Sequence, residues 1–131
     1  MSTLALITLV VDDYDRAITW FRKALNFSLI QDSPARTDDG RPKRWVVVAP
    51  AAGGCAVLLA QADGPAQAAR IGDQTGGRVG FFLHSTDFDG DYARMRGAGV
   101  VFEEAPRCTD YGQVVKFRDL WGNRWDLWQR N

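Results

Sequence analysis

The chain predicts an α+β fold made of two tandem βαβββ modules, and three observations carry that reading. The first is internal repetition. LVVDDYDRAITWFRKALNF (Leu9 to Phe27) and LHSTDFDGDYARMRGAGVV (Leu83 to Val101) superpose at a constant offset of 74 residues, matching Asp13 with Asp87, Tyr14 with Phe88, Asp15 with Asp89 and Phe21 with Met95. The second is the stretch after each helix. VVVAPAAGGCAVLLAQ (Val46 to Gln61) and VVKFRDLWGNRWDLWQ (Val114 to Gln129) both read as strand, glycine-bearing turn, strand. The third is size: 131 residues with 46% hydrophobic content suit one domain with a core of its own. A single βαβββ module cannot cover its own apolar sheet face, so the two belong together over 1–131, with module one at 3–62 and module two at 78–130.

Each element follows from its residues. Leu4 to Val11 is apolar apart from Thr8 and reads as a strand buried on most of both faces. Asp13 is placed to accept from the first free N–H groups of the next helix, and Asp15 suits the positive end of its dipole. Ile18, Phe21 and Leu25 then form one stripe at spacings of three and four. Asn26 stops the helix and Phe27-Ser-Leu-Ile is the second strand. Ser33 to Lys43, with Pro34, Asp38-Asp-Gly and Pro42, reads as an exposed loop. Arg44 to Ala49 and Cys55 to Ala60 are strands around the Ala51-Ala-Gly-Gly turn. Ala62 to Gly77 holds a short Ala-rich helical stretch and the polar sequence GDQTGG, as a linker or a flap. In the second module Arg78 to His84 is a strand, and a helix carrying Tyr92, Met95 and Arg96 ends at Gly97 to Gly99. Phe102 to Pro106 is a strand, Cys108 to Gly112 a loop, and Gln113 to Phe117 a strand. Asp119 to Asn123 then turns the chain into Arg124 to Gln129.

Sixteen basic and sixteen acidic residues give no net charge, and no basic run recruits nucleic acid or an anionic membrane. No apolar stretch approaches the roughly 20 residues of a membrane span, and the start of the chain lacks a signal-peptide pattern. Cys55 and Cys108 are isolated thiols without CxxC spacing, read as small filler residues of a reducing compartment. A cytoplasmic protein is expected.

These residues resemble the vicinal oxygen chelate superfamily, which includes glyoxalase I, bleomycin-resistance proteins and extradiol dioxygenases. The similar segments are VVDDYDRAITWFRKALNF, GAGV after the second helix, and VVKFRDLWGNRWDLWQ, where the family closes on a Phe-x-Asp-Pro-x-Gly-Asn turn before an apolar strand holding an acid. Leu120-Trp121 departs from that turn harmlessly. The resemblance implies paired βαβββ modules forming a cup-shaped mixed sheet around a ligand, commonly completed by homodimerisation. It also implies a divalent ion on equivalent strands of the two modules where the family does chemistry. Here the matching positions fall on Leu6, Leu58 (or Leu59), Gly80 and Asp126, and only the last has a donor. No metal and no cofactor are expected. His84, the only histidine, lies four residues beyond Gly80, roughly 13 Å along the strand, too far to share an ion with Asp126.

Strand alternation groups Leu4, Leu6 and Thr8, then Gly80, Phe82 and His84, then Arg124, Asp126 and Trp128. If Asp126 points inward, the lining is apolar and aromatic with one acid. That suits an organic ligand with a basic or hydroxyl group, because a desolvated carboxylate needs a partner and aromatic walls favour flat rings or cations. The ligand-binding candidates are Asp126, Arg124, Trp128, Trp45, Arg44, Phe82, and Gln74 and Tyr111 from loops. Asp126 and His84 are the candidates for acid-base work. The competing accounts are an Asp126 bridge to Arg124 or Arg44, and plain core packing for the tryptophans. The expected function is metal-free binding of an aromatic or cationic small molecule in a homodimer. The alternative is a glyoxalase-like lyase, isomerase or dioxygenase with an unconventional metal site, and a third reading is a structural dimer.

Overall fold

In the computed structural model, which describes all 131 residues, the chain divides into two units, Met1–Arg70 and Ile71–Asn131. The first unit runs β1 (Leu6–Val11), α1 (Tyr14–Leu25), β2 (Phe27–Arg36), β3 (Pro42–Pro50), β4 (Ala56–Gln61) and a short α2 (Pro65–Ala68). Its sheet order is β1-β4-β3-β2, with β1 and β4 parallel and the other pairs antiparallel. The second unit runs β5 (Val79–His84), α3 (Phe88–Gly97), β6 (Val101–Phe102), β7 (Arg107–Thr109), β8 (Gly112–Arg118) and β9 (Arg124–Arg130). Its order is β5-β9-β8-β6, with β7 also on β8 and β5 parallel to β9. This is an α+β fold of two mixed sheets, neither closed into a barrel.

The repeat is visible in the caps. Asp13 accepts from the Arg16 amide at 2.8 Å and Asp87 from the Gly90 amide at 3.2 Å, each satisfying a free N–H three residues into its helix. Asn26 adopts φ 56°, the left-handed stop of α1. On the inner side α1 buries Ala17, Ile18, Phe21 and Leu25 against Leu9, Val11, Val46, Val48 and Leu59. α3 covers a second core in which Trp125 stacks on Phe81 and Phe117, with ring centroids 4.5 and 5.7 Å away.

Several boundaries differ from the sequence reading. Ser33 to Lys43 is not one loop: β2 continues to Arg36 and β3 begins at Pro42, leaving a tight turn fastened by backbone hydrogen bonds between Thr37 and Arg41 and between Gly40 and Thr37. Pro34 is tolerated because β2 is an edge strand, where a missing N–H leaves no neighbour unserved. The segment Phe102 to Pro106 is strand only at β6. The expected loop around Cys108 is instead β7, which leaves Cys108 exposed rather than packed. Gly112 opens β8 with φ 141°, and a Cβ there would run into the Gln129 carbonyl oxygen, so glycine alone lets the two strands meet. No helix is long and apolar enough to cross a membrane.

Candidate functional site

In the second sheet, residues directly opposite one another share a face, and the register sorts β9 cleanly. Trp125 and Leu127 point to α3. Arg124, Asp126 and Trp128 point the other way, in rows roughly 7 Å apart along the strand. The middle row is Phe82, Asp126 and Lys116, on β5, β9 and β8. The next row is His84, Trp128 and Val114, with Arg107 of β7 opposite Val114. The row on the other side pairs Arg118 with Arg124.

Asp126 is half-buried, and desolvation holds its carboxyl pKa above the ordinary value, with Lys116 and Arg107 pulling it down and Glu104 pushing it up. Its Oδ1 is buried without a hydrogen-bond partner. The only other buried side-chain polar atom left so is Trp128 Nε1, on the same face two residues along. An acceptor and a donor are therefore both unmet on one short stretch of β9. Buried polar groups are paired in the great majority of cases, so such a pair marks a place for a molecule with the complementary groups. The surroundings are aromatic: Phe82 is 63% exposed, His84 lies edge-on to Trp128 at 5.6 Å, and the Arg130 guanidinium sits 4.6 Å from the Trp128 ring.

Other candidates fall elsewhere. Arg124 does not bridge to Asp126; its Nε meets Glu103 at 3.0 Å and its Nη1 donates to the Gly77 carbonyl at 3.2 Å. Arg44 cannot share a face with Trp45, being its strand neighbour. It binds Asp32 of the adjacent strand β2 at 2.7 and 3.1 Å, and on α1 it meets Asp15 at 2.9 Å and covers the Tyr14 ring. Trp45 is part-exposed and lines a cavity of about 540 Å³ in the first unit with Leu58, Ala60, Gln61 and Gln67. Gln74 lies in the loop after Ile71, its backbone N–H donating to Asn123 Oδ1 at 3.2 Å. Tyr111 is exposed at the β7–β8 turn. The second sheet thus brings Asp126, Trp128, Phe82 and His84 together, and leaves Arg44, Trp45, Gln74 and Tyr111 outside that cluster.

Lys116 was missed. Its signal was in the sequence: once Asp119 to Asn123 is a turn with Arg118 opposite Arg124, Lys116 must lie opposite Asp126. Arg107 and Glu104, joined at 2.8 Å, carry no such signal, because nothing in the residues of β7 marks it as a strand against β8.

The fold and the terminal turn can be set beside known proteins. The sequence profile of the glyoxalase/bleomycin resistance protein/dioxygenase superfamily matches residues 3–127. The chain belongs to this superfamily. An uncharacterized protein of Shewanella frigidimarina (strain NCIMB 400) is 48% identical over 126 residues, covering 95% of this chain and 91% of that one. Among solved structures, TnmS3, an antibiotic binding protein from Streptomyces sp. CB03234, superposes with a TM-score of 0.77 at 27% identity over 100% of this chain and 98% of that one. A glyoxalase/bleomycin resistance protein from the same Streptomyces strain gives a TM-score of 0.72 at 29% identity, covering 98% and 100%.

The superfamily's divalent ion does not fit the residues present. Leu6 and Leu58 carry no donor, Gly80 carries no side chain, and nowhere do three His, Cys, Asp or Glu side chains gather as an ion needs.

Proposed function

We propose that the chain is a metal-free small-molecule binding protein of the bleomycin-resistance kind, taking an aromatic or cationic organic ligand on the Asp126 face of its second sheet. The observation that carries this is the pair of unmet buried atoms, Asp126 Oδ1 and Trp128 Nε1, beside exposed Phe82. Of the two ligand chemistries the aromatic one is better matched. Lys116 and Arg107 already oppose a further cation, whereas a flat ring bearing a hydroxyl for Asp126 and a carbonyl for the Trp128 N–H would satisfy both atoms at once. That TnmS3 is an antibiotic binding protein supports the same reading. Tryptophan fluorescence titrated with flat hydroxylated aromatic carbonyl compounds tests it. Saturable quenching by some of the panel is expected, and its absence throughout would remove the proposal.

A second copy of the chain is proposed to cover this face, since Phe82 and Tyr111 are large, exposed and uncovered on the second unit. Sedimentation at micromolar concentration is expected to give a dimer; a monomer would contradict it. The enzyme alternative, a lyase, isomerase or dioxygenase, would need either an ion that Asp126 shares with residues outside the other family positions or metal-free acid-base work by Asp126 and His84. Elemental analysis of protein purified without chelator is expected to find no stoichiometric divalent metal, and about one ion per chain, lost in Asp126→Ala, would favour that alternative. The two isolated free thiols support a cytoplasmic setting.

A further inference from the structure

The second unit holds a cavity of about 370 Å³ apart from the Asp126 cluster, and its charge is cationic. Arg78, Arg118 and Arg124 line it, against Asp73 on its rim and Glu103 behind the arginines. Glu103 takes Arg118 Nε at 2.6 Å and Arg124 Nε at 3.0 Å. Carbonyl oxygens of Gly122 and Gly77 take the two Nη1 atoms at 3.1 and 3.2 Å. Each of these guanidiniums is thus fixed through Nε and Nη1, which leaves its Nη2 donors for something else. Arg78 is exposed and engages no carboxylate; only its backbone carbonyl is used, accepting from Thr75 Oγ1 at 2.6 Å. Three guanidiniums to two carboxylates leave a net positive site. The loop bringing Arg78 there is held in shape by Gly72, whose φ of 77° and contact with the Trp121 carbonyl oxygen exclude a side chain.

We propose that this cavity binds an oxyanion, the carboxylate or phosphate of a small molecule, with Arg118 and Arg124 as pre-positioned donors and Arg78 as the arm that closes on it. Guanidinium forks match such anions, and holding two of them in advance reduces the ordering needed on binding. The site is independent of the aromatic ligand proposed for the Asp126 face.

The test is an NMR titration of the full chain with inorganic phosphate, with ionic strength held constant by sodium chloride. Saturable shifts of the Gly76, Gly77 and Arg78 amides are expected. Arg78→Ala, a change at a side chain with no structural partner, should weaken phosphate about tenfold, as loss of a charge-assisted hydrogen bond does, and Arg78→Lys should restore part of it. Phenyl phosphate and benzoate run in parallel separate the sources. Tighter binding than phosphate assigns the site to the anionic group of an organic ligand, and equal or weaker binding assigns it to free phosphate. Shifts that are absent, that never saturate, or that are unchanged by Arg78→Ala overturn the site. Asp126→Asn should leave the phosphate titration unaltered, so failure of the aromatic site and failure of this one are told apart.

Discussion

Asp119→Ala is expected to lower the unfolding free energy by about 3 to 5 kcal/mol, as removing one partner of a buried charged network does. Asp119 is 5% exposed at the turn between β8 and β9. Its Oδ1 accepts from the backbone N–H groups of Trp121, Gly122 and Asn123 at 3.0, 3.0 and 2.9 Å. Its Oδ2 accepts from Asn123 Nδ2 at 2.9 Å and Trp125 Nε1 at 3.1 Å. Burial raises its pKa, opposed by the hydrogen bonds from Asn123, Trp125 and the turn amides. Alanine would leave those donors in a dry pocket and release the turn that sets the β8–β9 register, on which the Asp126 row depends. Denaturant unfolding followed by fluorescence would measure it. A loss below about 1 kcal/mol would mean that the turn holds without the carboxylate. Asp119→Asn should lose less than alanine, because an amide oxygen still serves the backbone donors while its NH₂ faces Trp125 and Asn123 as a second donor.

The architecture was legible because it is written in repeated, local signals: two Asp-capped helices 74 residues apart, each with apolar strands before and after. The Asp119–Asn123 turn was legible for the same reason. The remaining elements are set by tertiary pairing. Pro34, Asp38 and Gly40 look like a loop, yet β3 supplies hydrogen bonds along one side of β2 and turns most of that loop into strand. Arg107 to Thr109 has no strand-like pattern and is held only by pairing with β8. At the site, alternation groups Phe82 with His84 and Asp126 with Trp128, each pair on its own strand; that the two pairs share one face follows from the β5–β9 register, which no local pattern encodes. Arg44 and Trp45, neighbours on β3, project to opposite faces of the first sheet. That Arg124 answers to Glu103 rather than Asp126 depends on where β6 ends, and no local pattern encodes that.

Asp126→Asn is expected to separate binding from stability. Where the carboxylate receives a ligand hydroxyl, the amide should weaken binding by about 1.5 to 3 kcal/mol, roughly 10- to 150-fold, the range for a hydrogen bond to a charged group. Stability should move the other way. Desolvation raises the folded-state pKa of Asp126 above its ordinary value of 3.8, so the folded chain holds this proton more tightly than the unfolded chain does. The stability this carboxyl contributes is therefore fully present below that ordinary value and is lost as pH rises through the higher folded one. Asparagine does not ionise and escapes the loss. Thermal midpoints of wild type and mutant should nearly coincide at low pH, with the mutant becoming the more stable of the two as pH rises toward neutrality. A carboxylate acting as a structural bridge would do the opposite, with the mutant melting lower at neutral pH and binding as wild type does. That pair of results would remove Asp126 from the site. The expected pair would instead identify a group kept ionisable at some expense to the fold because Asp126 and Trp128 together have a ligand to hold.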